Sequence, residues 1–318
     1  MNRKIILFCL FILFVSSCVT KKIDKFEGLR IDSESIHINS SELEDAYKSI
    51  KLWKDSLEKC LKPPAEESLE TESLNLLKTG TYHALIIGVQ DYESDDCKDL
   101  AFPINDAEEL RECLVSLYSF EAEDVNVLRN PTGEEIEIAL NNLNEKLEEN
   151  DDVLIFYAGH GYWDDRMSQG YWLPADAKRN AKYTWISNSI IQDYLRGMSA
   201  YARNVLLITD ACFGGSIFAT RSAFTKAELL GIEKLYYTPS CQAMTSGTKD
   251  QEVDDKSVFL QYLVENLRNN NQLHLSAEKL FSSFKQAVIG QSKSSQIPQF
   301  GVVREAGDEG GDFIFIKR

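Results

Sequence analysis

Strand-like apolar runs alternate with amphipathic helical patterns from Thr81 to the end of the chain, and this order restricts the possible folds more than any other feature. Three runs, YHALIIG, VLIFYAGHG and NVLLITDACFGG, are apolar at almost every position before they end, as expected for central strands covered on both faces. Strands and helices in alternation build layers of helices on a mostly parallel sheet. We therefore predict an α/β fold, an α/β/α sandwich with a central mostly parallel sheet flanked by helices.

The remaining segments continue the alternation. DVNVLRN and DFIFIK predict further strands, and EKLYYTPSC predicts a fifth strand of the sheet. Helices are predicted for five segments: INDAEELRECLVSLY, starting at Asn105 or Asp106; TGEEIEIALNNLNEKL, with a capping box of Thr132 and Glu135; SNSIIQDYLRGM; VFLQYLVENL; and Ala277–Val288.

The first 17 residues have the pattern of a secretory signal peptide. Arg3 and Lys4 precede an apolar run from Ile5 to Val15, which is short for a membrane span. The segment VSSC resembles a bacterial lipobox and predicts that Cys18 is lipidated and becomes the new N-terminus. Plain secretion with cleavage nearby and an uncleaved anchor are the alternatives. We expect an exported lipoprotein anchored to a bacterial membrane, on its periplasmic or extracellular face.

Two regions follow the signal. Residues 18–79 are predicted to be a tether with a helical segment, because apolar residues recur there at steps of three and four until Pro63 and Pro64 end the pattern. A spacer helix and a regulatory or partner-binding helix both fit this segment. Residues 80–318 are predicted to form one domain.

The charge of the chain excludes one class of partner. The formal net charge is −16, whereas binding to a nucleic-acid backbone requires a basic surface. We therefore expect no nucleic-acid partner. An acidic surface suits a basic peptide, and it also serves solubility.

Two of the predicted central strands end in chemically unusual residues. One ends at His160 and the other at Cys212, 52 residues later, which leaves room for one crossover helix between adjacent parallel strands. An imidazole near a thiol can take its proton and so activate it as a nucleophile. Gly161 lets its backbone N–H approach a developing oxyanion, and the Cys212 N–H supplies a second donor. Taken singly, His160 also fits a turn and Cys212 a small buried hydrophobe.

YAGHG and DACFGG resemble the histidine and cysteine boxes of the caspase-like cysteine peptidases, the clan of caspases and metacaspases. Asp210 stands where caspases carry glutamine and Phe213 follows the cysteine, which makes the chain similar to the metacaspase-like bacterial branch. HALIIGVQDY, INDAEEL, SVFLQYLVENL, SQIPQFG and GGDFIFI resemble further family segments, so that the resemblance covers about residues 80–318.

The resemblance implies a cysteine endopeptidase with a His-Cys dyad, acting on protein or peptide substrates. Cys212 would be the nucleophile, His160 the general acid/base, and the backbone N–H groups of Gly161 and Cys212 the oxyanion hole. Asp106 and Asp210 would bind a substrate Arg or Lys side chain before the cut bond. Asp106 also fits a helix N-terminal residue that complements the dipole, and Asp210 a carboxylate that caps a loop.

We expect no required cofactor and no metal site, because no cysteine or histidine spacing resembles a zinc site. Calcium, which activates some metacaspases, could be attracted by Asp164, Asp165 and the acidic stretch 250–255, but no EF-hand spacing is present. Two other functions stay open: a non-catalytic caspase-like interaction or regulatory module, and an acyl transferase that uses the same dyad.

Overall fold

The three apolar runs predicted to be central strands form β-strands, and each strand is buried along its whole length. The computed structural model describes five stretches of the chain: 80–211, 217–218, 231–248, 256–294 and 296–318. The strands are β1 (Tyr82–Gly88), β2 (Val125–Arg129), β3 (Asp152–Ala158), β4 (Gly161–Asp164), β5 (Gln169–Trp172), β6 (Ile186–Ser187), β7 (Asn204–Asp210), β8 (Ser240–Thr245), β9 (His274–Ser276), β10 (Gln299–Val302) and β11 (Ile314–Ile316).

Six of these strands form the central sheet, in the order β10-β8-β7-β3-β1-β2. All neighbours are parallel except β10, which runs antiparallel to β8 at one edge. A second sheet is the three-stranded antiparallel sheet β4-β5-β6, and β9 pairs with β11. The predicted mixed α/β fold with a mostly parallel central sheet is confirmed.

The described residues contain six α-helices: α1 (Pro103–Leu117), α2 (Gly133–Lys146), α3 (Asn188–Met198), α4 (Ile232–Tyr237), α5 (Val258–Asn269) and α6 (Ala277–Gln291). Thr132 caps α2, and its hydroxyl and the Glu135 carboxylate exchange hydrogen bonds with the backbone as predicted. The first helix begins at Pro103, before the predicted Asn105 or Asp106, because proline is well suited to the first helical position.

Alternate side chains of the central strands build two apolar layers, one on each face of the sheet. Ile86, Phe156 and Ile208 pack with α1, α4, α5 and α6 on one face. Ile87 and Leu207 pack with α2 and α3 on the other. Because both faces are covered, the strand backbones are held rigidly and chemistry is confined to the strand ends.

The predicted strand EKLYYTPSC is wrong in its first half. Residues 232–237 form the helix α4, and the strand β8 begins only at Ser240. The helix is stabilised by burial of Leu235 and Tyr236, and the Tyr236 hydroxyl donates a 2.8 Å hydrogen bond to Asp152 Oδ2. Pro239 separates the helix from the strand.

Several predictions fall on residues outside the described stretches. These are the signal peptide 1–17 with its lipidation site Cys18, the tether 18–79, the nucleophile Cys212 and the acidic stretch 250–255. Within the described ranges, no helix has the length and apolarity that crossing a bilayer requires.

Candidate active site

The strands that lead to the two proposed catalytic residues are neighbours. β3 and β7 pair in parallel, and their last residues, Ala158 and Asp210, are register partners. His160 and Cys212 each follow that pair by two positions, although Cys212 lies outside the described residues. The parallel register therefore starts both segments side by side at the carboxyl end of the sheet, where ligands bind in open α/β folds.

His160 is held by a loop that follows β1. Its Nε2 atom lies 2.7 Å from the backbone carbonyl oxygen of Lys98, and a carbonyl can only accept a hydrogen bond. Nε2 must therefore carry a proton, which leaves Nδ1 as the acceptor in the neutral imidazole. The Tyr92 ring packs against the imidazole at 5.0 Å, and the Tyr92 hydroxyl accepts a 2.7 Å hydrogen bond from the His160 backbone N–H.

The peptide group between His160 and Gly161 has a defined direction. The carbonyl oxygen of His160 accepts hydrogen bonds from the N–H of Leu173 at 3.1 Å and from the hydroxyl of Tyr157 at 2.7 Å. The described peptide bonds are all trans, so the N–H of Gly161 points away from that carbonyl, and hence away from β5. This N–H therefore points out of the hairpin.

Gly159 permits the sharp change of direction between β3 and the histidine. A Cβ atom at this position would lie 2.9 Å from the Tyr157 hydroxyl and 3.1 Å from Cβ of Val89. The same hydroxyl binds the His160 carbonyl, so the absence of a side chain at Gly159 allows Tyr157 to hold the residue that follows.

Asp210 is buried at the end of β7, with 6% of its surface exposed. Burial raises the pKa of its carboxyl, and the hydroxyls of Ser257 and Ser246 oppose that rise. Its Oδ1 atom has no hydrogen-bond partner among the described residues. A buried carboxylate oxygen without a partner is costly, and a cationic ligand would relieve that cost.

Asp106 lies in the first turn of α1, close to the carboxyl end of β1. The two elements touch, because a Cβ atom on Gly88 would lie 2.7 Å from the carbonyl oxygen of Pro103. Asp106 lines a cavity of about 570 Å³ together with Ser257, the residue beside Asp210. Ser257 therefore contacts Asp210 and lines the same cavity as Asp106, and these are the two carboxylates proposed for substrate binding.

The charge of this cavity is mixed. Glu109 lies on its acidic side, whereas Lys256 and Arg268 also line it. The position of Asp106 in the first turn also complements the helix dipole. Of the two carboxylates, Asp210 is the more deeply buried.

Three groups of this site were not predicted from the sequence: the Lys98 carbonyl, the Tyr92 side chain and the Ser257 hydroxyl. Ser257 caps α5 by accepting a 2.9 Å hydrogen bond from the N–H of Leu260, and a serine before an apolar helical run is a recognisable signal. Tyr92 is the last residue of HALIIGVQDY, one of the segments that resemble the family. No sequence signal identifies a backbone carbonyl, because every residue carries one.

The cysteines that the structure describes are poor nucleophiles. Burial raises the pKa of Cys113 to about 11 and that of Cys241 to about 12, and it also raises the pKa of the partly exposed Cys97. A thiol must ionise to attack, so these three side chains remain protonated at neutral pH.

The predicted calcium residues have other partners where they are described. Asp164 pairs with the ammonium group of Lys182, and Asp165 accepts a 2.8 Å hydrogen bond from Nε1 of Trp163. In the part of the chain with described coordinates, no group of three or more His, Cys, Asp and Glu side chains is placed to hold a metal ion.

Comparison with known proteins gives one family. The family model of the caspase domain matches residues 81–304. Caspase-1 from Spodoptera frugiperda has a similar structure, with 16% identity and a TM-score of 0.50 over 70% of this chain and 87% of that one. Protein GSU0716 from Geobacter sulfurreducens is similar at 15% identity and a TM-score of 0.50, over 74% of this chain and 99% of that one. These two likenesses concern the fold alone. No curated protein sequence matches the chain.

Proposed function

The chain belongs to the caspase domain family, and from that premise we propose that it is a cysteine endopeptidase with His160 and Cys212 as its catalytic dyad. The observation that carries the proposal is the pairing of Ala158 with Asp210, which starts the histidine and cysteine segments side by side. From the resemblance of its two boxes, we further propose that it is a metacaspase-like bacterial member.

The proposed reaction is acyl transfer through a thioester. Nδ1 of His160 accepts the thiol proton of Cys212, and the thiolate attacks the scissile carbonyl carbon to form a C–S bond. The N–H groups of Gly161 and Cys212 stabilise the resulting oxyanion. When the C–N bond breaks, His160 gives its proton to the leaving amine. Water then attacks the thioester with His160 as base, which releases the carboxylic acid and restores the thiol.

The Lys98 carbonyl takes the place that an acidic residue has in a triad. It fixes the tautomer of His160 and accepts the Nε2 hydrogen throughout the cycle. When Nδ1 receives the cysteine proton, the imidazolium keeps this hydrogen bond, and the bond strengthens because its donor is then charged. A dyad oriented in this way needs no carboxylate.

We assign a preference for Arg or Lys before the cut bond to Asp210, with Asp106 as the second carboxylate. A neutral or acidic substrate side chain would leave the buried Oδ1 of Asp210 without a partner. A guanidinium or ammonium group supplies both the charge and the donors.

The N-terminal segment supports a second proposal, on location. We propose that Cys18 carries lipid and anchors the mature chain to a bacterial membrane, on its periplasmic or extracellular face. Incorporation of labelled palmitate into the wild-type chain, and its loss in Cys18→Ala, is the expected result. Equal labelling of both proteins would contradict the assignment.

Active-site labelling and a peptide panel test the peptidase proposal. A peptide chloromethyl ketone should modify Cys212 in the wild type and fail to do so in His160→Ala, and fluorogenic peptides should be cut after Arg or Lys. Equal labelling of the two proteins, with no cleavage, would favour the non-catalytic interaction module. Transfer of the acyl group to an added amine in preference to water would favour an acyl transferase. Faster cleavage after Asp than after Arg would overturn the assignment of Asp210.

A further inference from the structure

A side-chain ammonium group lies among three aromatic rings beside the candidate site. Nζ of Lys182 is 5.6 Å from the ring centroid of Tyr162 and 6.0 Å from those of Tyr171 and Trp185. It also pairs with the carboxylate of Asp164. We call Tyr162, Tyr171, Trp185 and Asp164 the cation cage. Aromatic faces and a carboxylate around one point select a cation by charge and by the ring quadrupoles.

The tyrosines and the carboxylate of the cage are fixed by the backbone of one hairpin. Tyr162 and Tyr171 are directly opposite each other on β4 and β5, and Asp164 shares their face because it is two residues further along β4. Oδ1 of Asp164 accepts hydrogen bonds from the N–H groups of Arg166 and Met167, at 2.9 and 3.2 Å. None of these contacts involves Lys182.

The indole of the cage is fixed independently too. Nε1 of Trp185 donates a 3.1 Å hydrogen bond to the carbonyl oxygen of Lys178. The ring lies 5.0 Å from Tyr162 and 5.6 Å from Tyr171, tilted against both. Contacts that do not involve the ammonium group of Lys182 therefore hold the carboxylate and the indole of the cage.

Lys182 is the more exposed partner of the ion pair with Asp164. Its side chain is 47% exposed, on the short 3₁₀ turn Lys182–Thr184, whereas that of Asp164 is 8% exposed. The flexible four-carbon chain lets the ammonium head of Lys182 move into solvent, but the buried carboxylate of Asp164 stays in place and needs another cation when Lys182 leaves.

The cage lies next to the residues proposed for catalysis. Tyr162, which is 43% exposed, is two residues beyond His160, which corresponds to about 7 Å of extended chain. Tyr92, whose ring contacts the imidazole, and Tyr171 of the cage pack against one small apolar cluster: Leu173, Ala177 and Trp185. In the proposed reaction His160 protonates the leaving amine, so the leaving segment of the substrate lies on the His160 side.

We propose that the cation cage is a second basic subsite, which exchanges Lys182 for the Lys or Arg side chain of the peptide segment on the leaving-group side of the cut bond. This inference rests on the proposed peptidase function. It predicts that the substrates carry basic residues on both sides of the cut bond. The residue before the bond binds Asp210, and the residue after it binds the cage. Lys182 then competes with substrate from within the chain.

Binding measured without turnover tests the cage itself. Tetramethylammonium chloride and Nα-acetyl-lysine methylamide are titrated calorimetrically into the full chain carrying Cys212→Ala, with sodium chloride at equal ionic strength as the blank. Lys182→Met in that background should bind both cations at least ten-fold more tightly than the parent. Adding Tyr162→Ala should abolish the gain, whereas Tyr183→Ala should not, because Tyr183 is 88% exposed and outside the cage.

Circular dichroism and tryptophan fluorescence establish that each variant is folded, and Lys182→Gln repeats the test with a different neutral side chain. If folded Lys182→Met and Lys182→Gln proteins bind neither cation, Lys182 serves only to fasten its turn to the hairpin, and the proposal is overturned.

Cleavage then tests the assignment to the leaving segment. In peptides with one Arg before the cut bond, Lys in the two positions after it should give at least five-fold higher kcat/KM than Glu. The ratio should approach one in Asp164→Asn. Cleavage with no such preference would overturn the inference and leave the peptidase proposal intact. Cation binding without cleavage of any peptide would overturn the peptidase proposal, and with it the substrate assignment of the cage.

Discussion

The backbone carbonyl oxygen of Lys98 lies 2.7 Å from Nε2 of His160, so a backbone group orients the imidazole of the proposed dyad. Because the acceptor belongs to the main chain, it persists whatever side chain residue 98 carries. The loop after β1 therefore contributes its conformation to the site, whereas the segments after β3 and β7 carry the residues proposed for catalysis.

A substitution of Lys98 separates these two contributions. Lys98→Ala should keep kcat/KM for an Arg peptide within about two-fold of wild type, because the carbonyl remains. His160→Ala should lower it by about 10³-fold or more. Steady-state kinetics of the two variants measure the difference. A loss in Lys98→Ala close to that in His160→Ala would show that the lysine side chain itself acts in the reaction.

Tyr92 is expected to act as a positioning residue. Tyr92→Phe keeps the ring against the imidazole but removes the hydroxyl that accepts the N–H of His160. We expect kcat to fall by about ten-fold with KM nearly unchanged, because a misplaced base lowers the rate and not the affinity for substrate. Tyr201→Phe, at an exposed tyrosine, is the matched control. A change confined to KM would assign Tyr92 to substrate binding instead.

Asp210→Asn should reduce activity and increase stability together. We expect kcat/KM for an Arg peptide to fall by about 10²-fold, because the charged partner of the guanidinium is lost. Burial raises the pKa of Asp210 in the folded state, so the stability of the wild type decreases as pH rises above the unfolded pKa. Asn does not ionise, so the variant lacks this decrease. The melting temperature of Asp210→Asn minus that of wild type should increase with pH. A difference that decreases with pH would contradict the environment assigned to Asp210.

A second buried carboxyl tests the same linkage away from the site. Burial raises the pKa of Asp152 from 3.8 to about 7, although Asn204 and Tyr236 donate hydrogen bonds to it. The folded state therefore binds more protons than the unfolded state between these values, and stability falls as pH rises through this window. The melting temperature of Asp152→Asn relative to wild type should rise by roughly 10 °C between pH 4 and 7.5, or about 4 kcal/mol.

The comparison with wild type controls for the other buried carboxyl that titrates in this pH range. Burial also raises the pKa of Asp312 to about 7, but Asp312 is present in both proteins, so its contribution cancels in the difference. A flat difference between pH 4 and 7.5 would mean that Asp152 ionises as it does in the unfolded chain.

The elements with one strong local signal could be predicted from the sequence. β1, β3 and β7 are continuous apolar runs, and the reciprocal pair of Thr132 and Glu135 marks the start of α2. The helix α4 could not, because its aromatic residues favour a strand locally. Its conformation depends on tertiary contacts, above all the hydrogen bond from Tyr236 to the distant Asp152.

The candidate site also contains residues that could be predicted from the sequence and residues that could not. His160 and Asp210 follow strand-end motifs, so their neighbourhood could be predicted from the parallel topology. The Lys98 carbonyl and the cage residue Trp185 lie on loops, and the sequence pattern does not predict the path of a loop.

The peptide group that joins His160 to Gly161 is held at its oxygen by Leu173, and its hydrogen is the one proposed for the oxyanion hole. A peptide group is a rigid plane, so a rotation at one end is a rotation at the other. Any compound that shifts β5 would therefore misdirect the N–H of Gly161 and slow turnover from a distance. For the proposed peptidase, inhibition would therefore not require a peptide-like compound, because displacement of β5 alone would disturb the oxyanion donor.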